Sequence, residues 1–214
     1  MKVDVVLSGD PNRRKLFEAI SQIYLKYATV TNVLLYFEKN PAKAFNRASR
    51  ESDSDILFCT GDIYLRERDM SGMVNQLLSG GADVVFIVPP RLMGKETILF
   101  VDAGFTVKKE TLLNNPMPEE PDFMEEVLWY NSKKDILNFQ PYFGTHYHLH
   151  RHTFNHILRL LRQRYGERAK AKKRGNVVRT FATVKIFLES IREYVAERLL
   201  PSPEEELRRL QEQS

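Results

Sequence analysis

The sequence predicts an α/β protein: a mainly parallel sheet flanked by helices, with a helical extension at the C-terminus. Three observations predict it. Four short runs rich in Val, Ile and Leu lie between residues 3 and 90, and each ends in polar or turn residues. Amphipathic stretches at helical spacing alternate with them, which demands right-handed crossovers and so parallel strands with helices on both faces. Near the end of the chain, residues 177–200 carry one unbroken apolar stripe at helical spacing, bounded by Gly175 and Pro201.

The elements follow in order. "VDVVLSG" (3–9) has the continuous apolar character of a buried parallel strand. In "DPNRRKLFEAISQIYLKY" a helix places Leu16, Ile20, Ile23 and Tyr27 on one face, with Asp10 or Asn12 as cap and Pro11 in the first turn. "TNVLLYFEKN" (31–40) is a second strand, and "PAKAFNRASRES" a short helix after Asn40-Pro41. "SDILFCTGD" (54–62) is a third strand. "RDMSGMVNQLLSGG" is a helix closed by Gly80-Gly81, and "ADVVFIVPP" (82–90) a fourth strand stopped by two prolines. "KETILFVDAGFTVKK" supplies one or two more strands, and "NNPMPEEPDFMEEV" a loop leading into a short helix. "GTHYHLHR" alternates like a strand, and "TFNHILRLLRQRYG" is a helix capped by Thr153. Residues 1–165 then form one domain, and 166–214 a basic connector with amphipathic helices.

Composition narrows the function classes. The 214 residues are 43% hydrophobic and 28% charged, with a formal charge of +4 and a pI near 9.1. Such a chain is globular and favours an anionic partner: phosphate, nucleotide, nucleic acid or lipid head group. One cysteine, Cys59, allows no internal disulfide and suits a reducing compartment. No apolar run approaches the ~20 residues of a membrane span, and "MKVDVVLSGDPNRR" turns polar too early for a signal peptide. The expected location is the cytoplasm, with the membrane surface as an option. Neither Gly-x-Gly-x-x-Gly nor a P-loop is present, so dinucleotide oxidoreductases and NTPases lack their phosphate loops here. The Gly-rich opening of a sugar nucleotidyltransferase is missing as well.

In sheets of this kind ligands bind beyond the carboxyl ends of the strands. The polar residues expected there are Ser8 and Asp10, Glu38 and Asn40, and Thr60 and Asp62. Four of the five histidines fall within "FGTHYHLHRH" (143–152), at positions 146, 148, 150 and 152. Side chains two apart on a strand share a face, so His146, His148 and His150 form a row about 6–7 Å apart. Imidazoles at that spacing can share a transition metal, or a protonated one can bind phosphate directly; a histidine face with no ligand is the plainer alternative.

The stretch "AFNRASRESDSDILFCTGDIYLRERDMSGMVNQLLSGGADVVFIVPP" (44–90), with "VVLSGDPNRRKLFEAISQIYLKY" before it and "FGTHYHLHRHTFNHI" after it, resembles the GT-A-type glycosyltransferases, most closely the inverting family 2. The shared order is a helix start rich in Ala, Arg and Asn, then an Asp before an apolar strand with an acidic triplet at its end. A helix and an Ala-Asp-Val-Val strand follow, covering with the flanking pieces about residues 3 to 160. The resemblance implies sugar transfer from a nucleotide-sugar donor, with a divalent cation (Mn or Mg) held by carboxylates at the departing diphosphate.

The family's triplet is Asp-x-Asp; Thr60-Gly61-Asp62 stands in its place, keeping only the last acid. A lone carboxylate holds such a cation weakly, so the expected metal set is Asp62 with His146 or His148. Glu38, Asn46 and Arg47 stand where the family has residues beside the nucleotide, although the family's Asp-Asp-Gly-Ser is "YFEKN" here, and Ser8 and Asp10 at the end of the first strand join them as expected nucleotide-binding residues. Each has a plain alternative: helix capping for Ser8 and Asp10, a turn or cap for Asp62, a solvated helix face for Asn46 and Arg47. Inverting transfer needs a general base, for which "PDFMEEVLW" offers Asp122, Glu125 and Glu126, and "FVDAG" offers Asp102. Trp129 and Tyr130 can stack on a sugar or pack in the core.

The acceptor (glycan, lipid-linked or protein) has no signature. "RLLRQRYGERAKAKKRG" holds eight Lys or Arg in seventeen residues beside the 177–200 stripe. The basic run forms a solvated face, and the stripe packs on the sheet or on a second subunit, as in a homodimer through the C-terminal helix; together they can also contact an anionic membrane peripherally. The interleaved aromatics of a single-strand nucleic-acid binder are missing, so no nucleic-acid partner is expected. Two rival functions stand beside transfer: a catalytically silent interaction module of the same fold, and a metal-dependent hydrolase built on the histidines.

Overall fold

The computed structural model describes residues 2–38, 40–61, 63–88, 104–120, 125–148, 157–158, 186–192, 194–195, 198–199, 205 and 208–209. The chain divides into two compact units, 1–149 and 150–214. The boundary at 165/166 expected from composition lies outside the described residues, as do Asp62, Asp102, Asp122, His150, His152 and His156.

The first unit is α/β. It contains β1 (Val3–Ser8), a 3₁₀ turn (Pro11–Arg13), α1 (Arg14–Tyr24), β2 (Val30–Tyr36), α2 (Pro41–Glu51), β3 (Ile56–Thr60) and β4 (Ile63–Leu65). It continues with α3 (Glu67–Ser79), β5 (Val84–Val88), β6 (Phe105–Lys108), α4 (Lys109–Asn114), α5 (Glu125–Lys133), β7 (Phe139–Phe143) and β8 (His146–His148). Six strands form one sheet in the order β2-β1-β3-β6-β5-β7, and β4 pairs with β8 in a second.

The main sheet is parallel except for β6, which runs against both neighbours: Leu57 faces Val107 on β3, and Phe86 faces Phe105 on β5. Alternation predicts a parallel sheet and leaves the strand order open; β3 and β5 are parallel, with β6 between them. Its residues explain the position, because Phe105, Thr106 and Val107 are 2%, 0% and 0% exposed and need a strand on either side. β6 also starts at the end of the sheet where β5 finishes, so no helical crossover is needed to return it.

Side-chain alternation splits the core. One face presents Val6, Leu57, Cys59, Phe86, Phe105 and Val107 to Phe45 and Ala48 of α2, Leu112 of α4 and Trp129 of α5. The other face meets α1 and α3, where Phe17, Ile20, Tyr24, Met70, Met73 and Leu77 are buried. α1 ends at Tyr24, so its buried face runs through Phe17, Ile20 and Tyr24, and Tyr27 sits in the following turn. Asn40 caps α2, its Oδ1 accepting from Ala42 N at 2.8 Å, with Pro41 in the first turn. Gly81 takes a φ of 66° after α3, a left-handed turn that suits glycine. At the amino end of the sheet the buried Asp4 carboxylate accepts from the hydroxyls of Ser52 and Ser54, both at 2.7 Å.

In the second unit, residues 186–192, 194, 195, 198 and 199 are helical, and Ile186 packs with Ile157, Leu158 and Tyr194.

Candidate functional site

The carboxyl ends of β1, β2 and β3 meet beside the start of α2. Ser8 pairs with Tyr36, and Gly9 N donates to Tyr36 O at 2.9 Å. A Cβ on Gly61 would lie 3.5 Å from Ser8 O and 3.9 Å from Pro41 Cγ. Three strand ends and a capped helix start therefore enclose one small region. Ser8 is 5% exposed, and its hydroxyl has no hydrogen-bond partner among the described residues. Such a buried hydroxyl is costly unless something completes its hydrogen bond.

The other candidates at this edge have partners. Asp10 is exposed, and its Oδ1 accepts from Asn12 N and Asn12 Nδ2 at 2.9 and 3.0 Å, capping the 3₁₀ turn. Arg47 Nε donates to Glu51 Oε1 at 2.7 Å, its guanidinium 5.3 Å from the Tyr36 ring centroid. Tyr36 donates to the other Glu51 oxygen at 2.8 Å. These bonds hold the Glu51 carboxyl below its ordinary range, the one from Arg47 most strongly. Burial pushes the Tyr36 phenol up, with help from Glu51. Glu38 is half-buried, within electrostatic reach of Tyr36 and Arg47.

Asn46 is 2% exposed, and its amide is spent on another segment. Its Nδ2 donates to Met117 O at 2.8 Å and to Glu119 Oε1 at 3.0 Å, while Met117 N donates to its Oδ1 at 2.9 Å. Asn40 Nδ2 adds a bond to Glu119 O at 2.8 Å. The two asparagines bracket residues 117–119 onto α2. Asn46→Ala strands the Met117 N–H and C=O in the interior and is expected to cost about 2–3 kcal/mol, read as a lower urea midpoint. An unchanged midpoint with weakened nucleotide binding would return Asn46 to a direct contact.

β4 follows Asp62 immediately, and its antiparallel partner is the histidine strand. Ile63 faces His148, Tyr64 faces Tyr147 and Leu65 faces His146. Segments some 80 residues apart in sequence thus lie side by side just past the end of β3. His146 is half-buried, with its Nδ1 shielded from solvent.

A tyrosine cluster fixes β4 from behind. Tyr24 Oη accepts from Leu65 N at 3.0 Å, and Tyr27 Oη donates to Leu65 O at 3.1 Å and hydrogen-bonds Tyr64 Oη. The Tyr64 ring packs on Tyr24 and Tyr147, with centroids 5.6 and 6.1 Å apart. Burial drives the Tyr24 and Tyr27 phenols far up, so they are neutral hydrogen-bonding groups. The arrangement was not foreseen; the only signal was Tyr24 and Tyr27 near the end of an amphipathic stretch.

Among the α5 acids, Glu125 is 4% exposed and Glu126 half-buried. Burial raises the Cys59 thiol well above its ordinary range, and the Glu126 charge adds to that. Trp129 is 1% exposed, tilted against Phe105 and edge-to-face with Phe139; it belongs to the core, not to a sugar platform. Among the described residues, no group of three or more His, Cys, Asp or Glu is arranged to hold a metal ion, and no helix is long and apolar enough to cross a membrane.

No family model and no curated protein matches the chain. Solved structures do. The mannosyltransferase PcManGT from Pyrobaculum calidifontis, in complex with GDP-Man and Mn2+, aligns with a TM-score of 0.57 at 13% identity, covering 94% of this chain and 76% of that one. A CMP:2-keto-3-deoxy-manno-octonic acid synthetase complexed with CTP aligns at 0.47 and 10% identity, over 67% and 89% of the two chains. HddC from Yersinia pseudotuberculosis aligns at 0.43 and 13%, over 69% and 92%. The likeness to the mannosyltransferase is one of fold, and the α/β architecture of the first unit is GT-A-like.

Proposed function

We propose that the chain transfers a sugar from a nucleotide-sugar donor to a hydroxyl acceptor, in the manner of the inverting family 2 glycosyltransferases. The observation that carries this reading is the register of β4 and β8, which sets His146 and His148 beside the residues directly after Asp62. Carboxylate and imidazole are a donor set that suits Mn2+, and Mg2+ less well. A divalent cation, when bound, would neutralise the diphosphate that leaves as the glycosidic bond forms. The Ser8 hydroxyl hydrogen-bonds the donor nucleoside, with Glu38 and Arg47 at its rim, and Asp10 acts through the turn it caps. Asn46 contributes indirectly by holding 117–119. The base that takes the acceptor proton comes from Asp122, Glu125 or Glu126. The acceptor is a glycan, a lipid-linked sugar or a protein.

One observation favours a second reading. Thr60 stands where the family has its first acid, and its hydroxyl is engaged with Ile63, donating to the carbonyl at 3.2 Å and accepting from the amide at 3.4 Å. A domain whose triplet is reduced this far can serve as a catalytically silent interaction module.

Thermal melts with UDP-, GDP- and dTDP-sugars, with and without Mn2+, separate the two. A ligand that binds only the folded state at about 100 times its Kd stabilises by about 2.7 kcal/mol, raising Tm by several degrees. Sugar transfer predicts such a rise for at least one donor, dependent on metal. No rise with any donor leaves the silent module, and a rise without metal moves the diphosphate contact to basic side chains.

A further inference from the structure

The histidine strand is held by very little sheet. Among the described residues, β4 and β8 form a ribbon of two strands with three residues each. A ribbon that short does not keep its own geometry in water. Side chains supply what strands do not. Leu65 N donates to Tyr24 Oη at 3.0 Å, and Leu65 O accepts from Tyr27 Oη at 3.1 Å. Both backbone groups of one β4 residue are thus taken up by phenols, as a third strand would take them. The same two β4 residues face the strand of interest. Leu65 lies opposite His146, and Tyr64, which hydrogen-bonds Tyr27 Oη, lies opposite Tyr147. The phenols come from the end of α1 and the turn after it, their rings edge-to-face with centroids 5.4 Å apart. That turn is tied once more where Ala28 N donates to Glu67 Oε1, in the first turn of α3, at 2.6 Å.

We propose that Tyr24 and Tyr27 are positioning residues, a clamp that sets the β4–β8 ribbon and so fixes where His146 and the backbone of His148 stand beside the end of β3. The Thr60–Ile63 turn bonds hold the near end of β4, and the two phenols hold its far end. Both hydroxyls bond only β4 residues, so their loss loosens the ribbon and leaves the ladders of the main sheet intact. A group that must meet a ligand within a fraction of an ångström needs such support from behind, and a three-residue strand cannot give it alone. What the histidines serve rests on the transferase reading; the clamp itself does not.

The test is Tyr27→Phe in the full chain, which removes the bonds to Leu65 and Tyr64 and keeps the ring. Hydrogen exchange followed by NMR is expected to show the Leu65 amide exchanging at least about tenfold faster, with Val5 and Phe58 of the main sheet unchanged. The amide signals of His146 and Tyr147 are expected to shift. With the UDP-, GDP- or dTDP-sugar that binds the wild type in the presence of Mn2+, the variant is expected to lose at least about tenfold in affinity. Tyr24→Phe, which takes the partner from Leu65 N, is read in the same way and serves if Tyr27→Phe does not fold. Ser54→Ala is the control for stability alone. It removes a 2.7 Å bond to Asp4 at the amino end of the sheet, so it lowers the urea midpoint and leaves the β8 signals and the donor affinity at wild-type values. Unmoved His146 and Tyr147 signals in the tyrosine variants overturn the proposal. So does an unchanged Mn2+-dependent affinity beside shifted signals, because the strand then moves without consequence. A wild type that binds no donor with Mn2+ removes the transferase reading instead, and the His146 and Tyr147 signals still decide whether the clamp sets the strand.

Discussion

Asp62→Ala is expected to abolish Mn2+-dependent nucleotide binding, by about 100-fold or more, with little change in Tm. The size follows from the donor set. With Thr60 in place of the first acid, Asp62 is the only carboxylate of the triplet, so in the proposed metal set its loss removes the anionic ligand and leaves only neutral imidazoles. The Thr60–Ile63 turn bonds do not use the Asp62 side chain, so the entry into β4 survives the substitution. Calorimetry with nucleotide and Mn2+ reads the result directly. An unchanged affinity would remove Asp62 from the metal set, and a gain without metal would point to direct phosphate binding. His148→Ala, from the strand that faces β4, should lose metal-dependent binding in the same direction.

Trp129→Ala carries the largest expected stability loss, about 3–5 kcal/mol, the range for removing a large aromatic from a core. The indole joins three elements. Its ring meets Phe105 of β6 at 5.7 Å and Phe139 of β7 at 5.5 Å, and its Nε1 donates to Asn115 O, just past α4, at 2.8 Å. Truncation opens a cavity and also strands a carbonyl. Trp129→Phe separates the two costs, because it keeps most of the ring packing and loses the hydrogen bond; about 1–3 kcal/mol is expected. Urea unfolding gives both values. If Trp129 lay against a sugar, alanine would spare the urea midpoint and weaken acceptor or donor binding instead. Trp129 also seats α5, which carries the candidate bases Glu125 and Glu126.

The sheet was legible where the sequence obeys one local rule at a time. β1, β3 and β5 are short runs dominated by apolar residues, and Asn40-Pro41 opens α2 because a side-chain cap and a fixed φ act within three residues. β6 was legible as a strand but not in its direction, because nothing local to "FTVK" records which edges it joins. β4 and β7 escaped notice. β4 has three residues, too few for a period, and β7 contains Pro141 and is half-exposed.

At the site, residue types were easier to read than partnerships. Alternation marked the histidine strand, but only tertiary pairing sets it against β4. Asn46 shows the limit from the other side. An asparagine on a helix looks the same in sequence whether its amide waits for a ligand or, as here, holds a loop seventy-one residues away.

The position of β6 has a consequence for synthesis. A nascent chain that has not yet delivered Phe105 holds β3 open on the edge away from β1, and β5 without a neighbour on either side, each with an open ladder of amides and carbonyls. The four residues of β6 join the two at once, and the far edge of β5 waits for β7. Until then the growing polypeptide is most exposed to sticking to its neighbours, and translation speed across that interval sets how long the hazard lasts.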